Sequence, residues 1–505
     1  MPISFRNIPQ GLRVPLAYFE FDPSMAGTSS ALQKAVLLGT VPATAALEIE
    51  TLTPVFSADQ VRALCGPGSA FGRQADAWFR NNASVPLYLL AAAETTFTAA
   101  TGSIEWAGVA TDSGTIPLYI GGRLVRIVIN NGDDAEAVAE AARDQINADP
   151  RLGVVATIVA ADPEIVVLTA RQLGRLGRLR IDLALAGVIG GEMMPPGITA
   201  TITQMLTGGA GSPNVLDLLS TIGDAPFDFV LCPYNQAQDL LDLDEFFNDT
   251  TGRWSWALQL YGHGFTAMHG TVGELSIFGN TRNGQHVSVF GFFDSATPHD
   301  EWMCAYVGQA AGSLIIDPAR PVQALPLNGV RAPPADSRFS ILQRQVLYYD
   351  GISSYYTTDD GTVYIDRVIT SYRVNVWNAP DDSYLDVETM FTGQFYARDT
   401  KNRILRKFPR HKLASDGTRF GAGQTIVTPR IIRAELIAHY GELEERGYVE
   451  DLNGFEQALI VERNATDPNR VDALLSPSFV NQLRIFAALV QFRLHGSERA
   501  VSVAA

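Results

Sequence analysis

Apolar and polar residues alternate at both extreme ends of this 505-residue chain, and that pattern constrains its fold more than anything in between. Ile3 and Phe5 share one parity, with Ser4 and Arg6 on the other. Leu12, Val14, Leu16 and Tyr18 then alternate with Arg13, Pro15 and Ala17. Alternation fits a half-buried strand, and Pro9 and Pro15 exclude both a helix and a central sheet position. The opening residues have neither the charged start nor the apolar run of a secretory signal, so no leader is expected there. At the other end, after Pro477, Leu483, Ile485, Ala487 and Leu489 share one face of an expected strand. Gln482 and Arg484 begin the opposite face, which turns apolar at Phe486, Val490 and Phe492. Two terminal strands with apolar teeth need grooves. Either they add to sheets of neighbouring chains, where main-chain bonds and side-chain pockets cooperate, or they complete sheets in their own subunit.

Between these arms the chain is too long for one core, so two to four domains are expected. Strand-helix-strand punctuation runs through residues 30 to 95: a buried strand at Ala35 to Gly39, a helix capped by Ser57, a break at Gly66-Pro-Gly-Ser69, a second helix carrying Phe71, Ala75 and Trp78, and a strand from Val85. From 96 to 212 short alternating strands appear instead. Gly121-Gly122 marks a hairpin, and a helix from Asp134 to Asn147 is capped by Asp133. Gly208-Gly-Ala-Gly211 closes that segment. Strand Phe227 to Cys232, helical patterns at Leu240 to Phe247 and Trp254 to Tyr261, strand His286 to Phe293 and a helix from Pro298 resume the α/β rhythm. A helix at Phe339 to Tyr348, a hairpin around Asp359-Asp-Gly361, a helix from about Asp382 to Phe408 and another after Thr428-Pro429 follow. The expected fold class is an α/β core (21–95 and 213–335) with an inserted small α+β domain (96–212), a C-terminal α+β domain (336–476), and extended terminal β-strand arms (1–20 and 477–505).

Candidate chemistry is sparse. Gly66-Pro-Gly-Ser-Ala-Phe-Gly72 follows a helix rather than a strand and lacks a Gly-Lys-Ser/Thr, so it is read as a helix-helix turn and not a phosphate cradle. His263 and His269 have no third ligand at metal spacing. Asp359-Asp360 reads as a turn and Asp381-Asp382 as a helix N-terminus. Cys65, Cys232 and Cys304 are scattered, so neither a zinc site nor a disulfide framework is expected. No catalytic, cofactor or metal residue is assigned. The net charge of −16 argues against direct nucleic-acid binding, and the longest apolar runs are too short for membrane insertion.

Several segments carry a resemblance. Ile3-Ser-Phe-Arg-Asn-Ile-Pro9 and Leu12-Arg-Val-Pro-Leu16 resemble the start of Mu-like bacteriophage contractile tail sheath proteins. Ala35-Val-Leu-Leu-Gly39, Gln60 to Ser69, Leu206 to Pro213, Lys407-Phe-Pro-Arg-His-Lys-Leu413 and Ile426-Val-Thr-Pro-Arg-Ile-Ile432 follow the same family in order. The resemblance implies a non-enzymatic virion subunit without cofactors, assembled in the host cytoplasm. Its copies would join in hexameric rings or a helical polymer around the tail tube protein, bounded by baseplate and tail terminator. It would be held extended and metastable, then contract to drive the tube through the host envelope. The sheath of a phage-tail-like bacteriocin or injection machine, and an α/β enzyme with an unrecognised site, stand as alternatives.

On this reading Ile3, Phe5, Leu12, Val14, Leu483, Ile485 and Leu489 are inter-subunit arm residues. Against the acidic background, Arg398, Lys401, Arg403, Arg406, Lys407, Arg410 and Lys412 fall within fifteen residues. They are either a solvated helix end or an electrostatic contact. The resemblance implies that C-terminal regions of sheaths face the tube, which makes Arg403, Arg406, Arg410 and Lys412 the tube-facing candidates.

Overall fold

The computed structural model describes residues 33–188, 190–421 and 423–492. The N-terminal arm residues Ile3, Phe5, Leu12 and Val14 lie outside the described residues. The chain opens with β1 (Ala35–Val41), β2 (Thr53–Val55), α1 (Ala58–Cys65), α2 (Ala70–Asn81) and β3 (Leu87–Ala93). The Ser57 hydroxyl accepts from the Gln60 amide and the Ser69 hydroxyl from that of Gly72, so each helix start is capped by its own serine. Gly66 and Gly68, at φ of +91° and +85°, make the turn between the two helices.

Next come β4 (Ala99–Gly108), β5 (Gly114–Ile120), β6 (Arg123–Ile129), α3 (Ala135–Ala148), β7 (Val154–Val159), β8 (Asp162–Leu173), β9 (Ile181–Leu183) and β10 (Ile198–Thr207). They form an antiparallel sheet in the order β10-β4-β8-β7 and a smaller one in the order β6-β5-β9. Helix α3 packs on strands of both through Val138, Ala142 and Ile146. These elements enclose a hydrophobic cluster of their own, centred on Ile104, Trp106, Ile127 and Leu168. Gly121 and Gly122, both at positive φ, turn β5 into β6 with Ile120 opposite Arg123. The cap of α3 is Asp134, one residue beyond the expected Asp133, whose carboxylate instead accepts from the Asn130 amide.

The chain then returns through α4 (Val215–Ile222), β11 (Phe229–Leu231), α5 (Ala237–Phe247), β12 (His263–His269), α6 (Val272–Asn280), β13 (Val287–Phe292), α7 (His299–Leu314), α8 (Ile341–Tyr349), β14 (Ile352–Thr357) and β15 (Val363–Arg367). With the first three strands they build one eight-stranded sheet in the order β15-β14-β13-β12-β11-β1-β3-β2. Every central pairing is parallel, and only the two edges are antiparallel. β1, β11 and β13 are buried at every residue, as parallel strands covered by helices must be. Residues Trp254 to Tyr261, expected as a helix, form turns instead. Gln259 and Tyr261 take φ of +52° and +57°, and the buried Arg253 guanidinium donates to the Gly223, Ala225 and Tyr261 carbonyls. That guanidinium claims a backbone carbonyl of the segment, which a periodicity reading does not detect.

The last part holds α9 (Val387–Lys407), β16 (Lys412–Leu413), β17 (Ile426–Val427), α10 (Pro429–Glu445), β18 (Val449–Glu450), α11 (Leu452–Ala458), β19 (Ile460–Arg463), β20 (Val471–Leu474) and β21 (Ser478–Phe479). Its cluster is led by Tyr440, stacked on Phe455 at 3.8 Å, with Leu436 and Leu443. Phe391 at the head of α9 stacks on Phe229 of the large sheet at 4.9 Å, joining the two. The expected helix start at Asp381-Asp382 is displaced to Val387. Asp381 accepts from Tyr372 and Ser383 in a loop, and Asp386 precedes the helix without capping it. Its two carboxylate oxygens accept from Nε and Nη2 of Arg367, each at 2.8 Å.

Candidate assembly surfaces

The residues weighed as chemistry are structural in their settings. His263 is buried beside Phe265 and shares a hydrogen bond of 2.9 Å with the Ser288 hydroxyl. Burial pushes its imidazole well below the usual range, so the ring stays neutral. Asp360 ties the β14–β15 turn through Thr358 and Thr362. All three cysteines are buried and unbridged. Among the described residues no helix is long and apolar enough to cross a membrane.

The C-terminal segment has a different character. β21 is held to β18, with Val449 opposite Phe479, and the Tyr440 hydroxyl donates to the Glu450 carbonyl and accepts from the Ser478 amide. Beyond Phe479 the alternating sequence forms no strand through residue 492. A strand needs a partner edge, and among the described residues this segment pairs with none. Leu483, Ile485, Phe486, Leu489, Val490 and Phe492 are all at least 73% exposed. Both faces of the expected strand therefore stand in solvent. Monomeric proteins rarely leave so many large apolar side chains in one run uncovered.

A second surface escaped the sequence reading. β19 and β20 form a two-stranded hairpin, with Ile460 opposite Leu474 and Arg463 opposite Val471. Neither strand pairs with any other described strand. Ile460 and Leu474 are 52% and 57% exposed, while Val461 on the other face packs towards the α10 cluster. A lone hairpin is marginal in water and gains from further strands. The apolar run Ala458-Leu-Ile-Val461 against Val471 to Leu475 was the available signal. Helix α8 likewise exposes Ile341, Leu342 and Tyr349 and buries only Leu347. Its apolar residues occur on more than one side, a pattern that separates it from a half-buried helix.

The basic run divides into inward and outward cations. Arg398 donates to the buried Asp228 carboxylate and lies over the Tyr261 ring. Arg403 bonds Glu435 at 2.6 Å and forks onto both Glu442 oxygens at 2.8 and 2.9 Å, joining α9 to α10. Lys407 also reaches Glu435. Burial alone would raise the Glu435 carboxyl, but Lys407 and Arg403 hold it below its usual range. Arg406 and Arg410 are exposed, and exposed Lys412 donates to Gln424 at 3.3 Å.

The profile of the phage tail sheath protein central domain matches residues 208–371, and that of the phage tail sheath C-terminal domain matches 379–493. A Mu-like prophage tail sheath protein of Haemophilus influenzae is 38% identical over 497 residues, spanning 98% of this chain and all of the relative. The crystal structure of a sheath tail protein from Desulfitobacterium hafniense aligns at TM-score 0.47 and 10% identity, over 92% of this chain and all of that one. The helical sheath of an anti-feeding prophage in its contracted state aligns at TM-score 0.43 and 12% identity, over 96% of this chain and all of that one. Structural likeness at that level carries no weight beside the near-full-length sequence match.

Proposed function

The chain belongs to the Mu-like phage tail sheath proteins and has their structural role in a contractile tail; from that premise we propose that its copies are joined by C-terminal arms, each laid along the β19–β20 hairpin of a neighbour. The observation that supports this is the coexistence, in one subunit, of an unpaired apolar segment and an unpaired two-stranded sheet. Six large apolar side chains at about 1.5–3 kcal/mol each on full burial outweigh part of the ordering cost of about 1–2 kcal/mol per residue. The added main-chain bonds and the repetition of the link around a ring supply the rest. The N-terminal residues Ile3, Phe5, Leu12 and Val14 are proposed as a second donor to the same hairpin.

Rings or a helical polymer of these subunits would surround the tail tube protein between baseplate and tail terminator in the virion tail, after assembly in the host cytoplasm. Contraction would exchange the weaker, polar contacts while the strand links persist. Arg406, Arg410 and Lys412 are proposed to face the tube as a salt-sensitive contact that releases on contraction. Arg403 is spent between α9 and α10, so its part in that contact is indirect. The unit at 96–212 is proposed to sit on the outside of the lattice.

A cysteine pair tests the arm assignment. Leu483→Cys and Leu474→Cys in one chain should form disulfides between chains in polymer and none in dilute monomer. The three native thiols are buried and leave the background clean. Efficient sheath formation with no such cross-link at any arm position would overturn the assignment.

A further inference from the structure

Within the exposed C-terminal segment, Arg484 turns back into its own subunit. Its side chain is 13% exposed, between Leu483 at 73% and Ile485 at 83%. The guanidinium enters a polar niche made by the start of α9 and the loop at Val322-Gln323. One arm donates to Glu388 at 2.8 Å and to Asp386 at 3.1 Å, and the other to the Gln323 side-chain oxygen Oε1 at 3.1 Å. Gln323 in turn donates to the Leu483 main-chain carbonyl at 3.3 Å, so the niche grips backbone as well as side chain. The niche is itself fixed. Asp386 is held by Arg367 at 2.8 Å, and Glu388, fully buried, accepts from the Val322 amide.

We propose that Arg484 is a positioning residue, pinning the C-terminal arm to its own subunit so that the apolar teeth after it leave the body at a fixed place and register. This deepens the arm reading proposed above and rests on it. Strand register is strict, because a one-residue slip moves every side chain to the opposite face. An arm anchored only at Phe479 would leave thirteen residues to residue 492 free to search, whereas anchoring at Arg484 leaves eight. At about 3.3 Å per residue those eight reach roughly 26 Å, and a shorter tether that still spans the gap raises the effective concentration at the neighbour's hairpin. The apolar residues can be exchanged between chains because the arginine, by its charge, stays home. The niche also gives the buried Glu388 carboxylate a cationic partner. Burial pushes the Glu388 carboxyl upward, and Arg484 is the largest influence drawing it back.

The test compares full-length Arg484→Ala, Arg484→Lys, Arg484→Ala/Glu388→Gln and a truncation after Phe479. Monomer melting temperature, chymotryptic clipping of the monomer at Phe486, and the concentration at which half the chain sediments as polymer are measured for each. Arg484→Ala strands the Glu388 carboxylate and should lower the melting temperature, and the added glutamine should restore it. Both alanine variants should be clipped faster and need about tenfold more protein to polymerise, because neither has a pinned arm. Lysine should rescue assembly in part, since an ammonium meets one carboxylate but cannot fork across three acceptors. Wild-type assembly by the double variant, with no polymer from the truncation, would overturn the latch and leave the arm standing. Normal polymer from the truncation would overturn both.

Discussion

Two parts of this molecule leave the large sheet and return or end elsewhere, and they are attached in opposite ways. The unit at 99–207 is joined to the sheet by a buried polar seam. Gln172 on β8 accepts from the Ala70 amide at 2.8 Å and donates to the Thr40 hydroxyl and the Glu94 carboxylate. Arg73 on α2 donates to the Leu176 carbonyl at 3.0 Å and lies 3.5 Å from Asp300 and 3.3 Å from Glu301 on α7, while Arg123 of β6 bridges Asp76 and Glu301. The seam is also tight, because a Cβ on Gly68 would lie 2.3 Å from the Pro150 carbonyl. Beyond Phe479 the C-terminal segment, by contrast, is tied down chiefly through Arg484 and the Leu483 carbonyl. Buried polar networks are costly to open because each member is left without water or partner. Exposed apolar teeth cost nothing to detach. The first attachment suits a part that must ride with its subunit, and the second a part that is handed to a neighbour.

The contrast is broken most sharply by truncating after Phe479. Polymer should vanish in sedimentation and electron microscopy, while the monomer's melting temperature falls about as far as in Arg484→Ala, since the large apolar side chains lost with it are exposed. Tubes of normal length would remove the arm from the comparison altogether. On the other side, Arg73→Ala should cost about 3–5 kcal/mol in chemical denaturation, because it removes the buried cation beside Asp300 and Glu301. A loss under about 1 kcal/mol would mean that the seam is no clamp.

The seam should also be pH-sensitive. Burial pushes both Glu94 and Glu301 up to about 7, the latter against the pull of Arg123 and Arg73. With the folded value above the unfolded one, the folded state holds more protons between the ordinary carboxyl range near 4.5 and about 7. Stability therefore falls as pH rises through that window. Glu301→Gln should flatten the slope, measured as melting temperature against pH, and an unchanged slope would place the titration elsewhere.

The basic run gives the smallest effect on stability. Arg410→Glu with Lys412→Glu should leave denaturation within about 0.5 kcal/mol, as surface substitutions do, yet weaken sheathing of tubes and its salt dependence. Arg403→Ala should instead destabilise by about 1–3 kcal/mol, because Glu435 is left buried with fewer partners. Equal stability losses from both would erase the distinction between inward and outward cations.

The family, the mixed α/β class and most elements were legible in the sequence, because strand and helix periodicities are local. Ser57, Ser69 and Pro429 announce helix starts through contacts of three or four residues, and Gly121-Gly122 announces a turn by backbone conformation alone. The readings that shifted, at Trp254 to Tyr261 and Asp381-Asp382, involve bonds that reach beyond the local window: in the first case those from Arg253 to the Gly223 and Ala225 carbonyls, and in the second the Arg367 guanidinium that occupies Asp386. The two-stranded hairpin at 460–474 was missed because what distinguishes it is the absence of a third strand, and absence has no local signature.

Sequence by itself determined that apolar and polar residues alternate at the chain ends, since alternation is a property of consecutive residues. Which edge they can have was decided only by the tertiary structure. The eight-stranded sheet ends in antiparallel β15 and β2, with the 324–327 segment laid along β15, while β19 and β20 pair only with each other among the described strands. The same holds for the cations between 398 and 412. Their number is written in the chain, but the direction each faces depends on the packing of α9 against α10 and against the Asp228 corner of the large sheet. Charge is carried by a residue, whereas the partner that neutralises it lies 28 to 170 positions away and is brought near only by folding.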